Sequence, residues 1–186
     1  LKGQRDVRFS VVRYGNVMGS NGSVMPFFLN KKKNGDEFLP ITDDRMTRFN
    51  ISLQDGCEMV FYAIEKAWGG EIFVPKIPSY KISDVATAIA PELEQRVVGI
   101  RPGEKLHEEM ITVSDSINTV DLGDYYAILP QKSPYSQYSK EDYKRAFSCV
   151  DVEEGFFYDS GNNKVWETVE SLREYVKIHV DLKFEV

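Results

Sequence analysis

The sequence is poor in several features that define common protein classes. It has two cysteines in 186 residues, Cys57 and Cys149, which are far apart and outside any CxxC pattern. This usage disfavours a disulfide scaffold or a cysteine zinc site and favours a reducing compartment. No apolar run approaches the ~20 residues needed to cross a bilayer, and no basic segment followed by an apolar stretch opens the chain. We therefore expect a cytoplasmic protein with no membrane partner and no metal.

An excess of positive charge is also lacking. Lys and Arg total 23 against 29 Asp and Glu, which gives a net charge of −6. Such a balance repels nucleic acid, and an anionic ligand would have to be held by a few well-placed cations. The one basic block, residues 31–33, is most simply a helix end before Asn34 and Gly35. We predict no nucleic-acid partner.

Composition and patterning otherwise indicate an ordinary folded protein. Hydrophobic residues make up 42% and charged residues 28% of the chain, as in typical globular domains. Strand-like and helix-like segments alternate, which predicts an α/β fold. The predicted elements are a strand over 7–14, a helix over 24–33 capped by Ser23, extended pieces over 37–41 and 46–51, a helix between Ser52 and Gly69, a strand over 71–74, a helix over 83–93, a strand over 96–100 and a last helix capped by Thr168.

Apolar positions assign faces to some of these elements. The strand over 7–14 is largely apolar and is predicted to be buried on both faces. In the last helix, Leu172 and Val176 fall on one face with Val169. Residues 132–143 have no clean period and are predicted to form an extended excursion facing a ligand or partner. The predicted apolar face of the helix after Ser52 consists of Met59, Val60, Ile64 and Ala67.

Residues 13–17, Arg-Tyr-Gly-Asn-Val, place polar side chains where a predicted strand ends, the edge at which open α/β sheets bind ligands. Asn16 can donate and accept hydrogen bonds, as recognition of a sugar hydroxyl or a phosphate oxygen requires. The Gly/Ser-rich loop over 19–23 precedes a helix N-terminus, where backbone N–H groups can face a diphosphate. An ordinary Asn-containing turn is the alternative.

A second candidate site lies in residues 99–109. A strand is predicted to end at Arg101, and Glu104 to lie one residue before a helix that carries Lys105 and His107. The Arg101 guanidinium suits a phosphate, and the Glu104 carboxylate can accept hydrogen bonds from both hydroxyls of a ribose. An exposed Arg–Glu pair that contributes little to stability is the alternative.

A third candidate is the loop between the two extended pieces. Thr42 lies there with Arg45 and Arg48 close behind, a combination that suits a pyrimidine edge or a phosphate. Ordinary loop polarity explains it equally well. Two further motifs are interpreted as structural: the YxxxK spacing of 62–66 lies on a helix with an apolar face, and the HExxH-like start at 107–108 has Ile at position 111.

Four ordered segments resemble the inverting UDP-N-acetylglucosamine 4,6-dehydratases of the extended short-chain dehydrogenase/reductase superfamily. UDP-sugar 4-epimerases and retaining dehydratases share RYGNV and GEKL, whereas FVPKIPS and RPGEKLHE favour the inverting branch. The segments are RYGNVMGSNGSVMPFF (13–28), ITDDRMTRF (41–49), GGEIFVPKIPS (69–79) and GIRPGEKLHEEM (99–110).

The resemblance implies binding roles for particular residues. Thr42 should touch the nucleotide, Arg101 and Glu104 should hold the diphosphate and ribose, and Asn16 should contact the sugar nucleotide. The full set expected to bind the substrate is Asn16, Ser23, Val24, Thr42, Arg48, Arg101 and Glu104. The set expected to contact NADP is Tyr14, Val17, Ser20 and Asn21.

The resemblance also implies a reaction. The family oxidises C4 of UDP-GlcNAc with NADP⁺, eliminates water across C5 and C6 and returns the hydride to C6 with inversion at C5, which opens pseudaminic acid biosynthesis. The catalytic YxxxK helix and the Asp–Lys pair of the family are not found, so we expect a substrate-binding half with no catalytic residue of its own. A UDP-sugar 4-epimerase half and a non-catalytic UDP-sugar-binding fragment are the alternatives. Assembly of relatives implies a homo-oligomer.

The implied architecture is the C-terminal part of an extended short-chain dehydrogenase/reductase, with the last strands of a Rossmann sheet and a small α/β substrate-binding domain. Residues 1–22 would end the Rossmann-type domain. Residues 23–131 would mainly form the nucleotide-sugar-binding domain, with 52–80 packing back on the Rossmann sheet. Residues 132–186 would be a C-terminal extension with a terminal helix.

Overall fold

A computed structural model describes residues 7–131 and 138–186 of the chain. The described residues form two compact units, each assembled from separate segments. Unit 1 consists of residues 7–14, 54–76, 109–131 and 138–158, and unit 2 of residues 15–53, 77–108 and 159–186. The two units alternate along the chain, and the segments expected from the resemblance are residues 1–22, 23–131 and 132–186. The assignment of those segments to cofactor-binding and sugar-binding domains stays a prediction.

Helices and strands alternate along most of the chain, so the predicted α/β class is confirmed. In chain order, the elements are β1 (Val11–Val12), β2 (Asn16–Val17), α1 (Val24–Asn34), β3 (Phe38–Ile41), β4 (Thr47–Ile51), α2 (Leu53–Lys66), β5 (Ile72–Pro75), β6 (Ser79–Lys81), α3 (Ile82–Ile89), β7 (Glu94–Val97), β8 (Glu109–Ile111), a 3₁₀ helix (Val113–Asn118), β9 (Thr119–Asp121), β10 (Tyr125–Ile128), α4 (Lys140–Phe147), β11 (Val150–Asp151), β12 (Tyr158–Asp159) and α5 (Val169–His179).

Unit 1 contains a five-stranded mixed sheet in the order β1-β5-β10-β9-β11. β1 runs parallel to β5, and the remaining neighbours are antiparallel. Because side chains alternate along a strand, Phe73, Val120 and Ala127 all reach one fully buried core, where Met59 of α2 joins them. The sheet and α2 therefore share a single apolar interior.

Unit 2 carries two small sheets, β2-β4-β6 and β3-β7, together with α1, α3 and α5. β3 and β7 run parallel, and α3 packs against both α1 and α5. The predicted face of the last helix is confirmed, since Leu172 and Val176 are fully buried. They share a core with Phe28 of α1 and Val85 of α3. This core supports the strand ends at which the candidate residues lie.

The extent of the first predicted strand and the apolar face predicted for the helix after Ser52 are wrong. The strand over 7–14 is reduced to β1, and Val11 is 54% exposed because, in the described part of the chain, β1 is an edge strand of its sheet. On α2, Ile64 is 74% exposed, whereas Met59 and Ala63 are buried. The apolar face of α2 is therefore narrower than the sequence pattern indicated.

The helix predicted after Glu104 is absent, and residues 104–108 form an irregular segment that leads into β8. Its backbone bonds are long-range: Thr47 N–H donates to the Leu106 carbonyl at 3.1 Å, and Ser160 N–H donates to the Glu108 carbonyl at 2.8 Å. Because these carbonyls accept from distant N–H groups, they do not accept from the N–H four residues further on, as an α-helix would require. Tertiary contacts thus override the local helical tendency.

The excursion predicted over 132–143 is wrong where it can be compared with the structure. Ser139 caps α4 through a capping box with Asp142, so residues 140–143 are helical. Residues 132–137 lie outside the described residues. The sequence pattern did not predict this helix because few of its side chains are apolar, although Tyr143 and Phe147 are spaced to share a face.

α5 offers a direct test of this fold. Ser171 N–H donates to Thr168 Oγ1 at 3.1 Å, and Thr168 N–H donates to Ser171 Oγ at 2.8 Å. We expect Thr168→Ala to lower the free energy of unfolding by about 1 kcal/mol, because a helix N–H loses its acceptor. Thr168→Ser keeps the oxygen and is the matched control, with an expected change below about 0.5 kcal/mol. Urea denaturation followed by circular dichroism measures both, and equal losses would contradict the capping role.

Candidate functional site

Unit 2 contains a cleft of about 540 Å³. Its walls come from β2, the start of α1, β4, β6 and the segments that follow β3 and β7. All the residues predicted to bind the substrate line it. The structure therefore brings them together, while the binding role of each one stays a prediction. These residues are Asn16, Ser23, Val24, Thr42, Arg48, Arg101 and Glu104.

Parallel pairing explains why two distant motifs meet in this cleft. β3 and β7 stay in register up to Ile41 opposite Val97. Two further backbone bonds extend the contact, with Val98 N–H donating to Ile41 O at 2.8 Å and Gly99 N–H donating to Thr42 O at 3.1 Å. The carboxyl ends of both strands thus reach the same edge. Thr42 follows one strand closely and Arg101 the other.

The two arginines of the cleft differ in how they are engaged. The Arg48 side chain is only 12% exposed and lies 3.9 Å from Glu104 Oε1 and 3.6 Å from Glu108 Oε1. It also donates to two backbone carbonyls. Arg101 is exposed, and no acidic side chain among residues 7–131 and 138–186 pairs with its guanidinium. Arg101 is therefore available to an anion, whereas Arg48 holds the cleft together.

A carboxylate that the sequence did not single out as a ligand group lies behind the cleft. The Asn16 amide nitrogen, oriented by the hydrogen-bond network, donates to Glu108 Oε1 and Oε2 at 2.7 and 2.8 Å. Burial raises the pKa of the Glu108 carboxyl above its usual value, while Arg48 and Lys105 act in the opposite direction. Glu108 is thus a half-buried acid that joins two residues of the cleft.

Ser23 begins α1 but does not cap it. Its backbone occupies the N-cap position, yet its hydroxyl makes no capping hydrogen bond, which corrects the capping prediction. The Oγ atom is buried and has no hydrogen-bond partner within the described residues. An unpaired buried hydroxyl costs free energy, and a ligand contact of Ser23 stays a prediction.

Only some of the residues expected to contact a dinucleotide line the cleft. Asn21 lines the cleft, whereas Val17 and Ser20 do not. Gly19 has φ of +83°, and a Cβ at this position would lie 2.8 Å from Val180 Cγ2. Packing therefore accounts for this glycine without any cofactor. Tyr14 belongs to unit 1. Contact of these residues with NADP stays a prediction.

Several residues of the cleft were missed. Phe27 and Asn30 line it from α1, and their spacing of three residues places them on one face of that helix. This spacing was a signal that the sequence offered. Tyr80 also lines the cleft, although it is only 2% exposed. No local pattern marks Tyr80, because its position depends on the pairing of β6 with β4.

The other motifs have structural explanations. Tyr62, of the YxxxK spacing, stacks on Tyr125 with ring centroids 4.3 Å apart, and burial raises the pKa of its hydroxyl. His107 Nδ1 lies 2.7 Å from Thr47 Oγ1. Within residues 7–131 and 138–186, no group of three or more His, Cys, Asp or Glu side chains is arranged to hold a metal ion. None of the helices in those ranges has the length and apolar character of a membrane span.

Residues 1–130 match the family described as polysaccharide biosynthesis protein. The chain is 46% identical over 181 residues to UDP-N-acetylglucosamine 4,6-dehydratase (inverting) of Campylobacter jejuni subsp. jejuni serotype O:2, which covers 95% of this chain and 53% of that protein. The enzyme of the same name from serotype O:23/36 is 47% identical over 177 residues, with 95% and 53% covered. UDP-glucose 4-epimerase of Rickettsia canadensis is 42% identical over 132 residues, with 69% and 38% covered.

A solved structure is also similar. Pen from Bacillus thuringiensis superposes with a TM-score of 0.76 and 30% identity, covering 94% of this chain and 51% of that one. The chain spans about half the length of the curated relatives it matches. The predicted fold class, the α/β C-terminal part of an extended short-chain dehydrogenase/reductase, is confirmed, as is the resemblance to inverting UDP-N-acetylglucosamine 4,6-dehydratases. With a family match over 130 of its residues, the chain belongs to the polysaccharide biosynthesis protein family.

Proposed function

We propose that this chain is the substrate-binding part of an inverting UDP-N-acetylglucosamine 4,6-dehydratase. The observation that carries the proposal is the convergence of Asn16, Thr42, Arg101 and Glu104 on one cleft, although they come from separate motifs of the sequence. The identity to the two Campylobacter jejuni enzymes supports the same function. In this proposal the cleft binds the UDP moiety and presents the sugar for reaction.

The charges of the cleft support recognition of a diphosphate. A chain of net charge −6 needs a local cation to attract a dianion. Arg101 supplies that cation, and its planar fork matches phosphate oxygens. The proposed role of Arg101 is therefore to hold the diphosphate.

Glu104 lies on the same turn as Arg101, and the carboxylate is positioned by its surroundings. Its Oε2 accepts from the Arg101 backbone N–H at 3.3 Å, and its Oε1 lies 3.9 Å from Arg48. A carboxylate has several acceptor sites, which leaves capacity for ribose hydroxyls. Cation and carboxylate would then bind adjacent parts of one nucleotide, with Thr42 beside them.

The cofactor of the proposed reaction is NADP, which supplies the hydride acceptor for oxidation at C4 when bound. Tyr14, Val17, Ser20 and Asn21 are proposed to contact it. In this proposal the chain binds and orients the substrate, while catalytic groups come from another part of the enzyme. We further propose a cytoplasmic homo-oligomer that acts in surface or flagellar glycan biosynthesis through pseudaminic acid.

A UDP-sugar 4-epimerase of the same superfamily is the second candidate. It is supported by the 42% identity to the Rickettsia canadensis protein, which extends over 132 residues. The products distinguish the two. UDP-GlcNAc given to the intact enzyme should yield a 4-keto-6-deoxy sugar nucleotide, with loss of water. Formation of UDP-GalNAc alone would select the epimerase.

The diphosphate role predicts a large effect of one substitution. We expect Arg101→Ala to weaken binding of UDP-GlcNAc by about 2–3 kcal/mol, or about 30- to 150-fold, because a charge-assisted pair is lost. Uridine, which has no phosphate, should bind both proteins equally. Isothermal titration calorimetry measures each affinity.

The matched control is Arg96→Ala. Arg96 is in unit 2, pairs with Glu94 at 2.8 Å and does not line the cleft. Its removal changes the net charge by the same amount and should leave UDP-GlcNAc affinity within about 2-fold. Equal affinity of wild type and Arg101→Ala would reject the diphosphate assignment.

The ribose role of Glu104 predicts a ligand-specific effect. Removing the 2′-hydroxyl from UDP should weaken binding to the wild type by about 10-fold or more, since a hydrogen bond to a charged group contributes about 1.5–3 kcal/mol. In Glu104→Ala the same removal should have no effect, because the acceptor is gone. Glu94→Ala, on the exposed pair of β7, is the control. A 2′-deoxy penalty that persists in Glu104→Ala would assign the ribose to another residue.

A further inference from the structure

Asn16 meets the ionisable Glu108 on one side and the cleft on the other. With the amide oriented by its hydrogen-bond network, its nitrogen lies 2.7 and 2.8 Å from the two oxygens of the Glu108 carboxylate and donates to them. An ionised carboxylate can only accept hydrogen bonds, so it selects the NH₂ end of the amide. The amide oxygen is then turned away from Glu108. Since Asn16 lines the cleft, this oxygen is left to accept a hydrogen bond from a ligand.

The position of Glu108 is itself held from its backbone. Its N–H donates to Ser160 Oγ at 2.9 Å, and its carbonyl accepts from Ser160 N–H at 2.8 Å. Ser160 Oγ lies 2.7 Å from Thr47 Oγ1, and that hydroxyl lies 2.7 Å from His107 Nδ1. Thr47 and Ser160 are buried. The buried hydroxyls therefore fix the main chain of Glu108, which leaves its carboxylate to act on Asn16.

A second contact limits where the carboxylate can move. Arg48 Nε lies 3.6 Å from Glu108 Oε1, and the Arg48 side chain is only 12% exposed. Arg48 is itself anchored by donating to the carbonyls of Thr47 and Leu106 at 2.7 and 3.2 Å. Glu108 is thus fixed by a cation on one side and by Asn16 on the other. Burial disfavours the ionised carboxylate and the Arg48 cation favours it, and the ionised form is the state that orients Asn16.

We propose that Glu108 is a positioning residue that holds the Asn16 carbonyl oxygen in the cleft, so that the cleft recognises a hydrogen-bond donor of the ligand at this point. The matching group is a hydroxyl or an amide N–H of the sugar, since the phosphate oxygens of a nucleotide sugar have no proton to donate. This inference rests on the proposed function, because it assigns the sugar-facing contact of the same cleft. It separates the role of Asn16 from that of Arg101, which faces the diphosphate.

The test compares two ligands of equal charge on the full chain. One is UDP-GlcNAc, and the other is the β-methyl ester of UDP, in which a methyl group replaces the sugar. Calorimetry measures both dissociation constants. The dissociation constant of the methyl ester divided by that of UDP-GlcNAc reports how much the sugar contributes to binding. We expect Asn16→Ala and Glu108→Ala each to reduce this ratio about 5-fold, as loss of one neutral hydrogen bond predicts. Affinity for the methyl ester should stay within about 2-fold of wild type.

A double-variant cycle shows whether Glu108 acts through Asn16. In the combined variant the ratio should equal that of Asn16→Ala alone, because the residue that Glu108 orients is already gone. Glu109→Gln is the control: it alters the neighbouring exposed acid, which does not line the cleft, and should leave the ratio unchanged. If Glu108→Ala unfolds, Asn16→Ala still decides which part of the ligand the amide contacts.

Three results would overturn the inference. An unchanged ratio in Asn16→Ala would remove the sugar contact, and additive effects in the combined variant would show that Glu108 does not act through Asn16. An equal loss for both ligands would mean that Asn16 donates to a phosphate oxygen, with a protonated Glu108 donating to its carbonyl. Failure of the wild type to bind either ligand is a different outcome, since it rejects the proposed function and this inference with it.

Discussion

The parallel pairing of β3 with β7 is the constraint on which the cleft depends. The register sets Ile41 opposite Val97, and two further backbone bonds carry the pairing into the segments that follow. Thr42 and Arg101 come from distant parts of the chain, and only this register brings them to one edge. Side chains alternate between faces, so a slip of one residue would exchange the buried Leu39 and Ile41 with their half-buried neighbours. Burial of these two side chains therefore fixes the geometry of the cleft.

The back of the cleft depends on a different kind of contact. Thr47, Ser160 and His107 form a line of buried or half-buried polar groups that are hydrogen-bonded to one another. A buried hydroxyl without a partner costs free energy, whereas a satisfied network favours one arrangement. Ser160 belongs to the last segment of unit 2, so this arrangement requires that segment to be packed. The position of Glu108 is thus set by a residue that no nearby sequence pattern indicates.

Local patterns predicted the elements that local forces build. The extended pieces at β3 and β4, the helix α1 and the capped helix α5 follow directly from apolar spacing and turn residues. The capping signal at Ser139 is equally clear in the sequence. Few apolar residues follow it, however, so α4 was not predicted. Residues 104–108 look helical in isolation, yet their carbonyls bond to distant backbone groups. Here long-range hydrogen bonds decide the conformation, and a local pattern cannot predict them.

The candidate site divides in the same way. Residue type and motif order identified the seven side chains expected to bind the substrate, because those motifs lie at strand ends where ligands of α/β folds bind. Tyr80 and the link from Glu108 to Asn16 were not predicted, since each depends on strand pairing or on contacts across many residues. The sequence could suggest that Asn16 binds a ligand. Only the surroundings of its amide indicate which of its two atoms does so.

Arg48 reduces the repulsion that two carboxylates, one lining the cleft and one behind it, would exert on an anion. Glu104 and Glu108 lie within 4 Å of its guanidinium, at 3.9 and 3.6 Å, and the side chain is 12% exposed. Water screens such partly buried charges less than exposed ones, so two unpaired carboxylates would oppose a diphosphate strongly. Arg48 offsets one of them and spreads its charge over both, while Arg101 remains unpaired within the described residues. Because Arg48 offsets one of the two acids, less negative charge opposes the ligand that Arg101 attracts, even though the chain as a whole is negative.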